Sequence, residues 1–418
     1  MGEVLVRLRR VLHWGPLIAL TIITIVTISG SYSAIQLWAR PKHRVTFFRW
    51  PNFIVMYAWL FLILKNFYQA LHGPGSLPRG WKPGNPEDCQ FLQYCKICEG
   101  YKAPRSHHCH QCERCSMKMD HHCPWINNCV GHENHASFLR FTFYVPLGCL
   151  HGAILNANFL YRVVTNEFIY YRPYFQINVG WIIMAMMGIA VAMGAAIGVF
   201  ILFATQVYSI CKNETQIEEW IISKARQRRK RAARSHGVQL EPFVYPYNLG
   251  SWENFKQVVN FSGRAKGNGV EWPVKEGCNP YSLSIEQLEQ KKEKKEHVVE
   301  AEVVRPYNGA CCPCSHGLCV ALCGSPVDRR VPIETGDSFA ITKYDEYWVY
   351  GDVLLSETEM KSRHLVSSRG WVPRHCIKER RSEGRGEGSE GMASVPTTTH
   401  EGKKATTSEG KKKKTKEE

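Results

Sequence analysis

Eight cysteine and histidine side chains between residues 95 and 129 follow one repeated spacing. The pattern Cys-x2-Cys-x9-His-x6-Cys begins at Cys95 and begins again at Cys109. Thiolates and imidazoles are the ligands that zinc prefers, and four of them close a tetrahedral structural site. The spacing therefore predicts two structural Zn2+ ions. Their ligand sets are Cys95, Cys98, His108 and Cys115, and Cys109, Cys112, His122 and Cys129.

One cysteine and one histidine in this region are left over by the two sets. The tripeptide His-His-Cys occurs at 107–109 and at 121–123, but no third set can begin at Cys123, because Ile126 stands where its second cysteine is needed. Cys123, His121 and Asp120 have the chemical types of a nucleophile, its base and the group that orients the base. A neighbouring imidazole commonly generates the reactive thiolate near neutral pH. The alternative is an unreactive surface cysteine beside a structural metal site.

Four apolar segments surround this region and would place it at a membrane. They are residues 14–38, 53–71, 138–161 and 179–210. The first and last carry no formal charge, whereas the second contains Lys65 and the third contains Arg140. Each is long enough to cross a hydrocarbon core of about 30 Å. We expect four transmembrane helices; the alternative for the two charged segments is burial in a soluble domain.

The basic residues predict which side of the membrane is cytosolic. Residues 224–234 (KARQRRKRAAR), just after the fourth segment, carry seven basic and no acidic side chains. By the positive-inside rule both termini and residues 72–137 face the cytosol, although four basic residues at positions 40–49 argue for the opposite orientation. A reducing compartment favours metal ligation over disulfides. Glycosylation of the acceptor pattern at 213–215 (NET) would contradict this topology.

The distance from Cys123 to the membrane indicates the kind of reaction. Phe138, at the start of the third segment, follows Cys123 by 15 residues, and Trp125 suits an interfacial position. A long acyl chain could stay in hydrocarbon while its thioester meets the thiol, which favours an acyltransferase over a protease or a phosphatase. We predict acyl transfer from acyl-coenzyme A to Cys123, and then to a cysteine of a membrane-associated protein.

This run of motifs resembles the cysteine-rich domain of the DHHC protein S-acyltransferases. The matching residues are Cys95 to Cys98, Lys102, Pro104, Arg105, His108 to Cys115, Asp120 to Cys129, Gly131, Asn134 and Phe138. The resemblance implies four membrane spans, with the zinc domain in the cytosol between the second and the third. It also implies palmitoyl transfer from palmitoyl-CoA through an S-acyl intermediate on Cys123, with His121 as base and Asp120 as its partner.

Two further elements of the family follow the fourth segment. Family members carry Thr-Thr-x-Glu there, whereas residues 215–218 read TQIE, so the second threonine is absent. The resemblance implies that Thr215 and Glu218 pack against the active site, and it leaves the role of Gln216 open. Residues 248–255 (NLGSWENF) moderately resemble the aromatic and asparagine element that comes next.

From about 300 to 378 the pattern changes to short alternating strands that resemble the last strands of an SH3 domain. The characteristic positions are Gly336, Asp337, Trp348, Gly370 and Pro373. Cys376 replaces a common groove tyrosine, and the acidic cluster that meets basic proline-rich ligands is absent. We expect a barrel that serves regulation or a non-standard partner protein rather than a standard PxxP receptor.

Five more cysteines, at positions 311, 312, 314, 319 and 323, lie in the divergent part of this domain. Reduced thiols on a long loop are the first interpretation. The second is S-acylation, for which Cys311, Cys312 and Cys314 are the candidates, and the third is another metal site.

Residues 379–418 contain almost no large apolar side chain, which predicts disorder. Lys414 and Lys416 are the fifth and third residues from the end, and this pattern resembles the lysine-based signal that returns proteins to the endoplasmic reticulum. The alternative is an ordinary charged tail. An SH3-like domain together with this signal resembles an endoplasmic-reticulum member of the family.

The sequence thus predicts an α-helical polytopic membrane protein with four transmembrane helices, an inserted cytosolic two-zinc domain and a C-terminal all-β SH3-like barrel. The segments are 1–71 (helices 1 and 2), 72–137 (zinc domain), 138–211 (helices 3 and 4), 212–299 (juxtamembrane), 300–378 (SH3-like) and 379–418 (basic tail). The predicted function is S-palmitoylation of membrane proteins at cytosolic cysteines. A non-catalytic scaffold that recruits partners through the SH3-like domain is the competing hypothesis. The net charge of +16 supports nucleic-acid binding, but anionic lipid explains that charge equally well, so we expect no nucleic-acid partner.

Overall fold

The computed structural model describes residues 10–38, 49–73, 75–165, 178–237, 239–260, 265–309, 330–363, 365 and 368–380. The chain divides into two compact units, residues 1–296 and 297–418. The cysteines at 311–323 and the tail after 380 lie outside the described residues.

Four long apolar helices in the first unit are each able to span a membrane. They are α1 (Trp14–Trp38), α2 (Arg49–His72), α3 (His135–Val164) and α4 (Val179–Lys212). The last three extend beyond the apolar segments seen in the sequence, because backbone hydrogen bonding continues past the first polar or charged side chain. Four membrane-spanning helices were predicted, and the structure confirms them.

Helix α3 is the centre of the bundle and packs against each of the other three. Its Asn156 is fully buried; the side-chain amide donates to Ser29 at 3.1 Å and accepts from Ser33 at 2.7 Å, both on α1. Gly188 of α4 lies against the same serine and asparagine side chains, with no room for a Cβ. Small residues and interhelical hydrogen bonds of this kind hold helices together where lipid removes the hydrophobic driving force.

The zinc domain between α2 and α3 consists of three two-stranded antiparallel hairpins. Their strands are β1 (Tyr94–Cys95) with β2 (Gly100–Tyr101), β3 (His107–Cys109) with β4 (Arg114–Ser116), and β5 (His121–Cys123) with β6 (Asn128–Val130). Each hairpin turns through a non-glycine residue with positive φ, Glu99, Glu113 or Asn127, four positions after a cysteine. A short 3-10 helix, Pro86–Phe91, precedes the first hairpin.

Three helices follow the bundle in the first unit, α5 (Gln216–His236), α6 (Ser251–Val258) and α7 (Ser282–Glu296). Thr215 and Glu218 form a reciprocal capping box at the start of α5, which satisfies backbone donors that a helix end leaves free. Asn213 ends α4 in the left-handed region, and its buried side chain donates to the Tyr247 carbonyl at 2.7 Å. The asparagine of the glycosylation pattern therefore has a structural role in the fold.

The second unit is an antiparallel five-stranded SH3-like barrel with the strand order β10-β9-β8-β7-β11. The strands are β7 (Val299–Val303), β8 (Ser338–Tyr344), β9 (Trp348–Val353), β10 (Arg369–Pro373) and β11 (Ile377–Glu379). A short helix, α8 (Glu357–Ser362), precedes β10, and a 3-10 turn, Arg374–Cys376, follows it. Trp348, Phe339 and Cys376 are fully buried in its core, so the fold class predicted from the sequence is confirmed.

Candidate active site and zinc sites

The two predicted ligand sets come together as two separate clusters, each with its four donor atoms within 4.8 Å of one another. In the first, the sulfurs of Cys95, Cys98 and Cys115 lie 3.5, 3.3 and 3.8 Å from Nδ1 of His108. Tetrahedral zinc, with bonds of about 2.3 Å to sulfur and about 2.0 Å to nitrogen, requires separations of about 3.5 Å between these donors. The first set therefore fits one Zn2+.

The second set has the same geometry. The sulfurs of Cys109, Cys112 and Cys129 lie 3.5, 3.4 and 4.0 Å from Nδ1 of His122. Each site has four protein donors and no open position, which is the arrangement of structural zinc. When bound, the two ions would brace the hairpins without taking part in a chemical step.

Cys123 ends β5, the first strand of the third hairpin, and belongs to neither cluster. Ile126 is fully buried at the position where a metal set would need its second cysteine. The Cys123 thiol is itself 3% exposed, in an apolar cluster with α2 and α3 side chains such as Phe67 and Phe141. The spare thiol thus lies where the zinc domain meets the helix bundle.

Asp120 and His121 form a direct pair beside this thiol. The His121 Nδ1–H donates to Oδ2 of Asp120 at 2.7 Å. Burial lowers the pKa of His121, but the hydrogen bonds to Asp120 and Cys123 outweigh it and raise that pKa to about 9. Burial raises the pKa of Asp120, whereas its hydrogen bond with His121 brings the net value down to about 2. Asp120 is therefore ionised, and Nε2 of His121 is left to exchange a proton.

Asp120 accepts hydrogen bonds from two more donors, one near the end of α4 and one at the start of α5. The backbone N–H of Gln216 donates to its Oδ1 at 2.9 Å, and the side-chain amide of Gln206 donates to its Oδ2 at 3.1 Å. Gln206 was not predicted from the sequence, although a glutamine in a charge-free apolar run is a visible signal. The role of Gln216 stayed open because the second threonine of the family element is absent, and its contact with Asp120 is made by the backbone.

Glu218 connects the start of α5 to the zinc domain through Arg105, which lies just before β3. The two side chains are fully buried and form two hydrogen bonds of 2.6 and 2.8 Å, and the guanidinium lies over the rings of Tyr247 and Trp272. Burial alone would lower the pKa of Arg105, but Glu218 raises it, and the arginine in turn lowers the pKa of the Glu218 carboxyl against the effect of burial. Glu218 of the α5 capping box therefore supports the zinc domain.

Asparagines fasten the third hairpin to the end of α2. Asn128 donates to the carbonyls of Ala70 and Leu71 at 3.3 and 3.1 Å, and Asn134 donates to Ala70 at 2.9 Å. On the other side, Gly15 of α1 lies against the Pro124 backbone with no room for a Cβ. These contacts fix the Cys123 turn at the end of the bundle where α2 ends and α3 begins.

Comparison with known proteins gives one family. Residues 88–223 match the family described as DHHC palmitoyltransferase. Palmitoyltransferase ZDHHC6 of Mus musculus is 40% identical over 391 residues, 89% of this chain and 92% of that protein. The same protein of Homo sapiens is 40% identical over 401 residues, 90% of this chain and 93% of that protein. Palmitoyltransferase ZDHHC3 of Rattus norvegicus is 32% identical over 212 residues, 48% of this chain and 67% of that protein.

Alignments of this length include the SH3-like unit as well as the zinc domain. They agree with the site geometry, in which two zinc clusters frame an Asp-His pair and a spare thiol at the end of a four-helix membrane bundle. The chain belongs to the DHHC palmitoyltransferase family and is a multi-pass membrane protein S-palmitoyltransferase that uses palmitoyl-CoA as its acyl donor.

Proposed function

We propose that Cys123 carries the palmitoyl group between palmitoyl-CoA and cysteines of membrane proteins, with His121 as its base and Asp120 as the residue that orients His121. One observation carries the proposal: the hydrogen-bonded Asp120–His121 pair adjoins a thiol that belongs to neither metal cluster. A scaffold would need no such pair beside an unligated cysteine.

In the first step the Cys123 thiol gives its proton to Nε2 of His121 and attacks the thioester carbonyl of palmitoyl-CoA. The bond from that carbon to the coenzyme A sulfur breaks, and the departing sulfur takes the proton from His121. In the second step a substrate thiol gives its proton to His121 and attacks the acyl-Cys123 thioester. Cys123 leaves and regains the proton. Asp120 remains ionised throughout and keeps the His121 hydrogen on Nδ1.

The surroundings of Cys123 support a lipid substrate. Its apolar cluster continues into the bundle through Phe138, Val145 and Ala153 of α3 and Val26 of α1. An acyl chain that leaves water for this apolar cluster would be stabilised by about 0.8 kcal/mol for each CH2 group removed from water. The thioester would remain at the cytosolic end, beside His121.

Intact-protein mass spectrometry after incubation with palmitoyl-CoA tests the nucleophile. We expect one hydroxylamine-labile palmitoyl adduct that maps to Cys123 and is absent in Cys123→Ser. Cys278→Ser, a change at a half-buried thiol outside the site, should leave the adduct intact. An adduct that persists in Cys123→Ser, or no adduct on a protein with two bound zincs, would contradict the proposal and favour the scaffold.

We propose residence in the endoplasmic-reticulum membrane, on the pattern of Lys414 and Lys416. The double change of these lysines to serine should move a tagged protein to later secretory compartments. The same change at Lys403 and Lys404 removes equal charge from the tail and should not move it. Unchanged location of the first variant would reject the signal.

We propose that the SH3-like barrel binds a partner protein by a route other than a proline groove. Trp348 and Cys376 are fully buried, so neither offers the exposed groove side chain of a standard PxxP receptor. A cleft of about 330 Å3 nearby is lined by Glu346, Arg374 and Glu379 and presents both charges. Peptide-array binding should favour mixed-charge peptides and weaken in Arg374→Glu; selective binding of PxxP peptides would refute this mode.

A further inference from the structure

Gln206 is a fully buried polar side chain inside the most apolar helix of the bundle. Removing a side-chain amide from water costs about 1–3 kcal/mol in proteins unless hydrogen bonds compensate. In a segment that spans a membrane the exposed alternative is lipid, so both ends of the amide need partners. The buried Gln206 amide therefore needs an acceptor for its NH2 group and a donor for its oxygen.

Both ends of the Gln206 amide are hydrogen-bonded. The nitrogen Nε2 donates to Oδ2 of Asp120 at 3.1 Å, and the oxygen Oε1 accepts from Nε2 of His135 at 2.9 Å. His135 is the first residue of α3 and is 3% exposed. The three residues thus join the zinc domain, the start of α3 and the cytosolic part of α4.

The direction of each hydrogen bond in this chain is determined. An ionised carboxylate only accepts, so Gln206 must present its NH2 group to Asp120 and its oxygen to His135. His135 must then carry a hydrogen on Nε2. Among the described residues, no partner lies within hydrogen-bond distance of its Nδ1, so one proton on Nε2 satisfies the contacts that the structure shows.

Oδ2 of Asp120 is the oxygen that also accepts from His121. Without Gln206, Oδ2 of the carboxylate would keep His121 as its donor, and a small turn about the bond to Cβ would carry the His121 ring with it. The third donor fixes the plane of the carboxylate and hence the angle at which the His121 ring meets Cys123. Small losses of such alignment are costly in rate.

We propose that Gln206 is a positioning residue of the acylation reaction, and that His135 sets the orientation of its amide. The inference rests on the roles proposed above for Asp120 and His121. It assigns part of the catalytic geometry to two side chains of the membrane helices, neither of which contacts the reacting sulfur. The helix bundle would then orient the catalytic base as well as receive the acyl chain.

The first test compares Gln206→Met with Thr205→Val in the full-length protein. Methionine has a similar length and neither hydrogen-bonding end, whereas the adjacent Thr205 bonds only within its own helix. Loss of a hydrogen bond to an ion should slow the first-turnover acylation of Cys123 by about 10- to 100-fold. The KM for palmitoyl-CoA should stay within about twofold, with two zincs bound. Thr205→Val should acylate at the wild-type rate.

The second test uses His135. His135→Leu removes the donor to Gln206 and should slow acylation by about 3- to 10-fold. His135→Gln retains an NH donor and should recover most of that loss, which a merely structural role would not predict. This pair gives the same comparison if Gln206→Met does not bind two zincs.

Three outcomes would overturn the inference: equal rates for Gln206→Met and Thr205→Val, a loss confined to KM, or no difference between His135→Leu and His135→Gln. Cys123→Ser, measured in parallel, separates this failure from failure of the proposed function. If Cys123→Ser abolishes the adduct while the Gln206 variant does not slow its formation, the nucleophile stands and only the positioning role is lost.

Discussion

In β3–β4 the register pairs Cys109 with Arg114, and in β5–β6 it pairs Cys123 with Asn128, so the two His-His-Cys tripeptides occupy equivalent places in equivalent hairpins. The second histidine of each tripeptide belongs to a metal cluster, and so does Cys109. Cys123 does not, because the turn of its own hairpin has Ile126 at the position where a metal set would need its second cysteine. Two hairpins with the same strand register therefore have one cysteine in a metal cluster, Cys109, and one outside it, Cys123.

The first histidines of the two tripeptides differ more than their sequence suggests. His107 is preceded by a serine, and burial lowers its pKa to about 4. Burial lowers the pKa of His121 as well, but its hydrogen bonds to Asp120 and Cys123 outweigh that effect and raise the pKa to about 9. The carboxylate and the thiol beside His121 thus distinguish it from His107.

Serine substitution of the two equivalent cysteines gives the largest expected contrast. Cys123→Ser should abolish acylation and retain two zincs and the wild-type melting temperature, because this sulfur ligates nothing. Cys109→Ser should lose one zinc and unfold at a lower temperature, because it opens a closed site. Zinc content, thermal unfolding and palmitoyl adduct formation separate the two. Loss of zinc in Cys123→Ser would show that Cys123 is a zinc ligand and not a spare thiol.

The residue before each tripeptide gives the next contrast. Asp120→Asn removes the charge that holds the Nδ1–H tautomer of His121 and should slow acylation by about 100- to 1,000-fold. Ser106→Ala, at the equivalent position of the other hairpin, should stay within about twofold. The measurement is single-turnover acylation at equal zinc content. Similar losses in both variants would mean that Asp120 acts through folding and not through His121.

Two adjacent glutamates at the start of α5, one buried against the zinc domain and one exposed, give the third contrast. Glu218→Gln leaves the Arg105 charge buried without a counter-charge and should cost about 3–5 kcal/mol of unfolding free energy. Glu219→Gln removes the same charge from an exposed position of the same turn and should be almost neutral. Thermal unfolding of the purified proteins with zinc bound measures the difference. Equal stability of the two variants would show that the ion pair contributes nothing net.

Local spacing allowed the site to be predicted from the sequence. The two ligand sets, the spare Cys123 and its neighbours Asp120 and His121 all follow from a repeat within 35 residues. The four membrane helices follow from apolar length alone. These features depend on short-range pattern, which the chain displays directly.

Contacts between distant segments could not be predicted in this way. Gln206 is 86 residues from Asp120, and Glu218 is 113 residues from Arg105. Their meeting depends on how α4 and α5 pack against the zinc domain, and no local period encodes that packing. The positive φ values at Glu99 and Glu113 could not be predicted either, because glycine or asparagine, the usual residues at such turns, is replaced by glutamate at both positions.

Gln216 gives the smallest expected effect and the sharpest test of how α5 holds the third hairpin. Its side chain is exposed and its backbone N–H donates to Asp120, so the threonine that family members carry here is not needed for this contact. Gln216→Ala should therefore acylate within about twofold of wild type. Gln216→Pro removes the N–H and puts a ring CH2 in its place against Asp120, while the helix itself tolerates the change: proline is accepted at the first position of a helix, and Thr215 already has the extended backbone that precedes proline. The proline variant should slow acylation by at least about 3- to 10-fold, the loss expected for one hydrogen bond to a carboxylate, because the CH2 group also crowds that carboxylate. Rates are compared with α5 helicity and zinc content unchanged. A slow alanine variant, or a proline variant as fast as wild type, would show that the side chain of residue 216, and not its backbone, serves Asp120.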